Sequence, residues 1–322
     1  MKIYLHKLKY CLIFVILTGF AAALIIKPEK YIAACYNGLC LWAVSVLPSL
    51  FPFMVICGLF INLNLQSKIV KRSGKTARIT ILPACAPVCI LLSLISGYPT
   101  GSRTVYEFYS GGIMDKTGSR ALAPLCSTCS PLFAIGTVGV NMFGAKQCGY
   151  KLFLAHIAAV FITGIFCALL SRKKHIAAFN ADRAPLSTPE KKENALKESF
   201  FGAACASLTA GAFIVFFYTA AYILQDLHVL YPFERLLCLF VNGDIAAAVC
   251  TGLVEMTGGC AALAKNGGTL SLPFAGFLLT FGGVCVLLQQ LCYLLGTGVK
   301  PLTFILQKLL QGAICFIILL LI

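Results

Sequence analysis

Apolar runs long enough to cross a bilayer recur along this chain, separated by short polar or basic segments. They cover residues 11–26, 39–63, 79–95, 150–170, 200–224, 236–263, 270–295 and a last run after Lys300-Pro301. A hydrocarbon core of about 30 Å needs about 20 apolar residues in a helix, so the pattern predicts about eight transmembrane helices. Two regions break it. Residues 96–144 place Arg103, Glu107, Asp115, Lys116 and Arg120 between Gly-, Pro-, Ser- and Thr-rich ends, and 236–264 carry Asn242, Asp244 and Glu255 within an apolar run. An ionised group at mid-bilayer costs about 2.5–3.5 kcal/mol even on a lenient insertion scale. Each region therefore predicts a re-entrant or broken-helix hairpin shielded by other helices, at 97–144 and 236–264. A polar linker, 171–199, separates an N-terminal half, 1–170, from a C-terminal half, 200–322, that loosely repeats its plan. Pro48 and Pro52 in LPSLFPF predict either a kink or a broken helix with carbonyls facing a path.

Composition settles the solvent. The chain has 322 residues, 59% hydrophobic and 11% charged, with mean hydropathy +0.90. Soluble domains carry about 25% charged residues, so this reads as an all-α polytopic membrane protein with lipid as its main partner. The net charge of +15 does not imply a nucleic-acid partner, because neither a soluble basic face nor a recognition motif is present. Instead Lys68, Lys71, Arg72, Lys75 and Arg78 fill one loop, and Arg172, Lys173 and Lys174 begin the linker. The positive-inside rule makes both cytoplasmic and puts the N-terminus inside as a retained first helix. With 79–95 as a third crossing, Ser96 and Tyr150 are both outside, so 97–149 must leave and return on one side.

Candidate chemistry gathers in the two irregular stretches. In GYPTGSR, Gly97, Pro99 and Gly101 break a helix and free backbone N–H groups, which attract anions. Tyr98 and Ser102 lie in the same motif. Arg103 either grips a ligand carboxylate or pairs with Glu107 at i+4. CSTCSPLFAIGTVGVNMFG supplies Ser127, Ser130 and Asn141 as polar contacts. Glu255 and Thr257 mark the second stretch, where an ionisable residue in an apolar run is functional by default. Gln289 follows the kink-prone Phe281-Gly282-Gly283. Most of the 17 cysteines sit in apolar runs as small hydrophobes, and Cys126-Ser-Thr-Cys129 lacks the further ligands a zinc ion needs. The four histidines are scattered, and no GxSxG, HExxH or phosphate loop is present. The expectation is a non-enzymatic protein with no cofactor and no metal.

At SGYPTGSR (96–103), APLCSTCSPLFAIGTVGVNMFG (123–144), GLVEMTGG (252–259), FGGVCVLLQ (281–289) and LPSLFPF (47–53) the chain resembles the YlbJ-like sporulation integral membrane proteins, which carry a nucleoside-recognition (Gate) domain. It departs from that pattern at Ser127-Thr128, where an asparagine-containing stretch is expected; the basic residue at position 103 fits it, with Lys the expected form. The resemblance implies a role in spore cortex formation or maturation. It also implies a transporter moving dipicolinate, a small anionic aromatic solute, across the outer forespore membrane. A coupling proton or cation and a homo-oligomer are compatible with that reading. The alternatives are a non-transporting membrane scaffold or regulator of spore maturation, and a nucleoside-type permease.

Overall fold

The computed structural model describes residues 2–73, 82–178 and 194–322, and among these the chain is helical with no strand. Lys75, Arg78 and the greater part of the 171–199 linker lie outside the described residues.

Helix α1 spans Lys2–Ile26. Helix α2 runs Pro28–Asn62, starting well before the expected residue 39 because Tyr31, Ala34 and Gly38 are buried and Gly38 lets Tyr218 of the second half pack close. It passes Pro48 and Pro52 without breaking. The turn at Trp42–Val46 widens, giving the Pro48 ring, which has no N–H and crowds the preceding turn, room to fit. Carbonyls near the prolines find hydroxyls instead: Val46 O accepts from Ser49 Oγ at 2.8 Å and Ser45 O from Thr137 Oγ1 at 3.0 Å. LPSLFPF thus lies within one continuous helix, with two carbonyls next to its prolines satisfied inside the bundle.

After the short α3 (Gln66–Ser73), α4 (Ala86–Ser96) and α5 (Thr100–Ser110) form an antiparallel pair. Gly101 lies directly against Ser93, so the chain has turned back at 97–99. This corrects the expected third crossing. α4 is 11 residues, about 16 Å at 1.5 Å per residue, and falls well short of a hydrocarbon core of about 30 Å. The hairpin is 86–110, with the predicted break as its tip; it is not 97–144. Residues 116–142 form one interrupted helix: α6 (Lys116–Leu122), a non-helical segment at 127–130 preceded by turns, then the wide-turned α7 (Leu132–Met142). Helix α8 (Lys146–Ala178) closes the half.

The second half repeats this order. Long α9 (Ala195–Asp226) and short α10 (Tyr231–Leu237) lead to a hairpin of α11 (Gly243–Val254) and α12 (Met256–Asn266). Asn266 Nδ2 donates to Asp244 O at 3.0 Å, so the arms start and finish at the same level. The interrupted helix is α13 (Ser271–Phe281) and α14 (Gly283–Leu294), broken by left-handed Gly282 (φ 92°), and α15 (Pro301–Leu321) is the last long helix. Long helices pair across the halves, α2 with α9 and α8 with α15. Each hairpin's second arm packs on the far half's interrupted helix, α5 on α14 and α12 on α7.

The bundle has two end layers. At one, Lys27 Nζ pairs with Asp226 Oδ2 at 2.9 Å, Lys30 pairs with the same carboxylate, and Lys151 Nζ donates to Ile322 O at 2.7 Å. At the other, Asn62 Nδ2 donates to Ser199 Oγ at 3.0 Å and Arg120 Nε to Gly298 O at 2.6 Å. Helix α3 and the end of α8 lie at this second end, whose segments are basic in sequence. Among the described residues, five helical runs are long and apolar enough to span a bilayer: Pro28–Asn62, Lys146–Cys167, Ala195–Asp226, Ser271–Leu294 and Pro301–Leu321. Short apolar helices, including Ala86–Ser96, Leu132–Met142 and Gly243–Val254, complete a polytopic bundle.

Candidate functional site

Both hairpin tips and both helix interruptions meet in the middle of the bundle. At Gly97 (φ 73°) a Cβ would lie 2.6 Å from the Ser130 nitrogen, and at Gly101 it would lie 1.9 Å from the Cys126 carbonyl oxygen. Only glycine lets the first tip rest on bare backbone this closely. The second half makes the equivalent contact, with a Cβ on Gly283 falling 2.8 Å from Gly252 O. Tyr98, at the first tip, joins the two halves. Its hydroxyl donates to Leu279 O at 2.6 Å and meets Met256 Sδ at 3.3 Å. Ser102 Oγ donates to Gln290 Oε1 at 3.2 Å.

The backbone of the first interruption is held by side chains from three helices. Ser93 Oγ donates to Cys126 O at 2.7 Å, and Thr128 Oγ1 to Ser93 O at 2.8 Å. Gln311 Nε2 donates to Pro124 O at 2.9 Å, and Lys308 Nζ to Ser127 O at 2.8 Å. The Cys129 N–H donates to His156 Nε2 at 3.0 Å, while His156 Nδ1 meets Thr280 Oγ1 at 3.0 Å. With Nε2 accepting, Nδ1 carries the ring proton toward Thr280. These groups are buried, and a buried polar atom left unpaired costs about 1–3 kcal/mol, which is why an irregular backbone can persist here.

Tyr98, Ser130, Thr257 and Gln289 line one small space of about 20 Å³ with Leu50, Ala210 and Met256. That is room for about one water molecule. One helical turn away, a cavity of about 780 Å³ is walled by Met54, Thr100, Arg103, Glu107, Gly202 and Ala206 among others. Leu50 and Met54 are successive turns of α2, as are Ala206 and Ala210 of α9, so the two spaces stack along the bundle. The larger extends toward Asn62 and Ser199 at the basic end.

Arg103, Ser127, Asn141 and Glu255 do not line the small central space. Arg103 donates from Nε to Glu107 Oε1 at 2.8 Å and from Nη1 to Gly202 O at 3.0 Å, so the internal pair forms and the side chain is fixed in the cavity wall. Glu255 is buried but does not meet Arg103. It caps its own helix, accepting from the Thr257 and Gly258 N–H groups at 2.9 and 2.7 Å. Ser127 is buried, and its hydroxyl has no partner among the described residues. Asn141 is exposed near the far end of α7, away from both tips. Sequence reasoning passed over Lys308, Gln311, Ser93 and Thr280. Lys308 and Gln311 had a usable signal, a lysine and a glutamine one turn apart inside an apolar span. The two hydroxyl residues had none, because Ser and Thr also satisfy their own helices.

No family model matches the chain, and no solved structure matches it. Among curated proteins it is similar to the "Sporulation integral membrane protein YlbJ" of Bacillus subtilis (strain 168), with 24% identity over 314 aligned residues, covering 90% of this chain and 77% of the relative. That likeness over nearly the whole chain supports a YlbJ-like assignment: this is a membrane protein related to a sporulation integral membrane protein.

Proposed function

We propose that this protein is a non-enzymatic transporter of a small anionic solute, with dipicolinate the leading candidate and the outer forespore membrane its site of action. One observation carries the reading: two hairpin tips and two helix interruptions converge at Tyr98, Ser130, Thr257 and Gln289, one turn from a large cavity. Discontinuous helices in corresponding positions of two halves are the arrangement that places solute sites at mid-membrane in repeat-built transporters. A cavity of about 780 Å³ falls in the range of small-molecule sites, about 300–1,000 Å³. The central space is too small for a solute, so transport requires a tip to move.

The anionic preference follows from the two tips. The N-terminus of α12 already holds a carboxylate, that of Glu255. The N-terminus of α5 has no side-chain cap and its first residue, Thr100, lines the larger cavity, so this is where a solute carboxylate gains most from the helix dipole. Arg103 stands one turn into α5, its charge paired with Glu107 in the same wall. The charge distribution supports one orientation: Lys68, Lys71, Arg72 and Arg172–Lys174 belong to segments at the cavity's end, which makes that end cytoplasmic.

Titration of purified protein with dipicolinate by calorimetry tests the solute directly. Saturable binding that adenosine or uridine does not displace supports the reading. Displacement by a nucleoside favours a nucleoside permease, and no binding of either favours a scaffold.

A further inference from the structure

Three backbone carbonyls of the first interrupted helix are already occupied. In transporters built from discontinuous helices such carbonyls are where a coupling sodium ion or proton binds. Here Pro124 O accepts from Gln311, Cys126 O from Ser93, and Ser127 O from Lys308. The last donor is itself a cation. Lys308 is fully buried in α15, and no carboxylate forms an ion pair with it among the described residues. The titratable groups facing it are Cys129 from the interruption, Cys315 from its own helix and His156 from α8. An ammonium has three donors. Two buried side-chain oxygens of residues in this network, Ser127 Oγ and Gln311 Oε1, have no partner among the described residues.

We propose that Lys308 is a built-in cation standing where a coupling metal ion would sit, and that the cation exchanged at this site is the proton alone. The proposal rests on the transport reading above. With the ammonium on Ser127 O, a sodium ion meets a like charge and three carbonyls that already accept hydrogen bonds, so the site excludes it. The ammonium can release one proton to water and become a neutral amine, which no longer holds the Ser127 carbonyl through a charge-assisted bond. Taking the proton back restores the tether between α15 and the interruption. A reversible tether at this point biases the segment that packs under the first hairpin tip.

Two measurements test this. The purified protein should unfold thermally at the same temperature in sodium chloride and in choline chloride at equal ionic strength. A sodium-specific rise overturns the proposal, and this readout does not depend on transport. In proteoliposomes, dipicolinate uptake should be unchanged when choline replaces sodium. A gradient of about one pH unit should change accumulation by up to about tenfold per proton carried. Lys308→Arg keeps a cation that does not release its proton. It should lose the pH-gradient response while still exchanging labelled for unlabelled dipicolinate at equal pH. Lys308→Gln, which also carries no proton there, is read the same way if the arginine variant fails to fold. Sodium-dependent uptake by the wild type, or a retained pH-gradient response in either variant, overturns the proposal. Absence of any uptake overturns the transport reading instead, and the thermal comparison then decides whether the site takes sodium.

Discussion

At the scale of single residues, the meeting point depends on atoms that sequence patterns rank poorly. Tyr98 was legible as part of GYPTGSR, but its partner, the Leu279 carbonyl, lies in the other half and was not. Tyr98→Phe keeps the ring and leaves that carbonyl unpaired, a cost of about 1–3 kcal/mol. Thermal unfolding in detergent should show a folded but weakened protein. Gly101 makes a sharper case. A methyl there would meet backbone oxygen at 1.9 Å, whereas one at Gly19 has nothing within 4 Å. Gly101→Ala should therefore cost about 1–3 kcal/mol through overpacking, and Gly19→Ala should leave the unfolding temperature unchanged or slightly raised. Equal effects of the two would contradict the close packing of tip on backbone. Arg103 shows how local pairing competes with ligand contact: i,i+4 geometry joined it to Glu107 without regard to the cavity it faces.

Elements were read well where a long apolar run formed one helix, and less well where short helices fold back. The periodicity that marks 79–95 as apolar says nothing of a reversal at Gly97. The crossing count also accepted two different paths from residue 78 to residue 145. One crossing followed by a hairpin, and a hairpin followed by one interrupted crossing, end on the same side. Side chains from α8 and α15 decide between them by satisfying the 123–130 backbone, and a pattern within one segment does not contain that information. In the second hairpin, Glu255 was legible as an ionisable residue in an apolar run, but its work in the structure is to cap α12. Glu255→Ala should destabilise the protein by about 0.5–2 kcal/mol as a lost helix cap. Glu255→Gln keeps an acceptor oxygen and should lose less. Unfolding curves for the two variants give the comparison, and a glutamine variant as weak as the alanine one would contradict the capping role.

For the whole molecule, the two halves, apart from the additional α1 of the first, have the same order of long helix, short helix, hairpin, interrupted helix and long helix. The hairpins open toward opposite ends, one near Asn62 and Ser199, the other at Asp244 and Asn266. Sequence revealed this repeat only as a loose pattern, because the halves share positions of helix breaks more than residue identities. In a cysteine-free background, Ser110→Cys should react with a membrane-impermeant maleimide from the cytoplasmic side, and Asn266→Cys from the opposite side. Labelling of both from one side would contradict the inverted arrangement. The central claim, that the crossing is a solute path, is tested most directly by uptake of radiolabelled dipicolinate into proteoliposomes containing the purified protein. The account predicts saturable uptake above protein-free vesicles, abolished or strongly reduced in Tyr98→Phe and Gln289→Ala protein that remains folded. Uptake no greater than that of empty vesicles, from protein that binds dipicolinate and unfolds cooperatively, would contradict it.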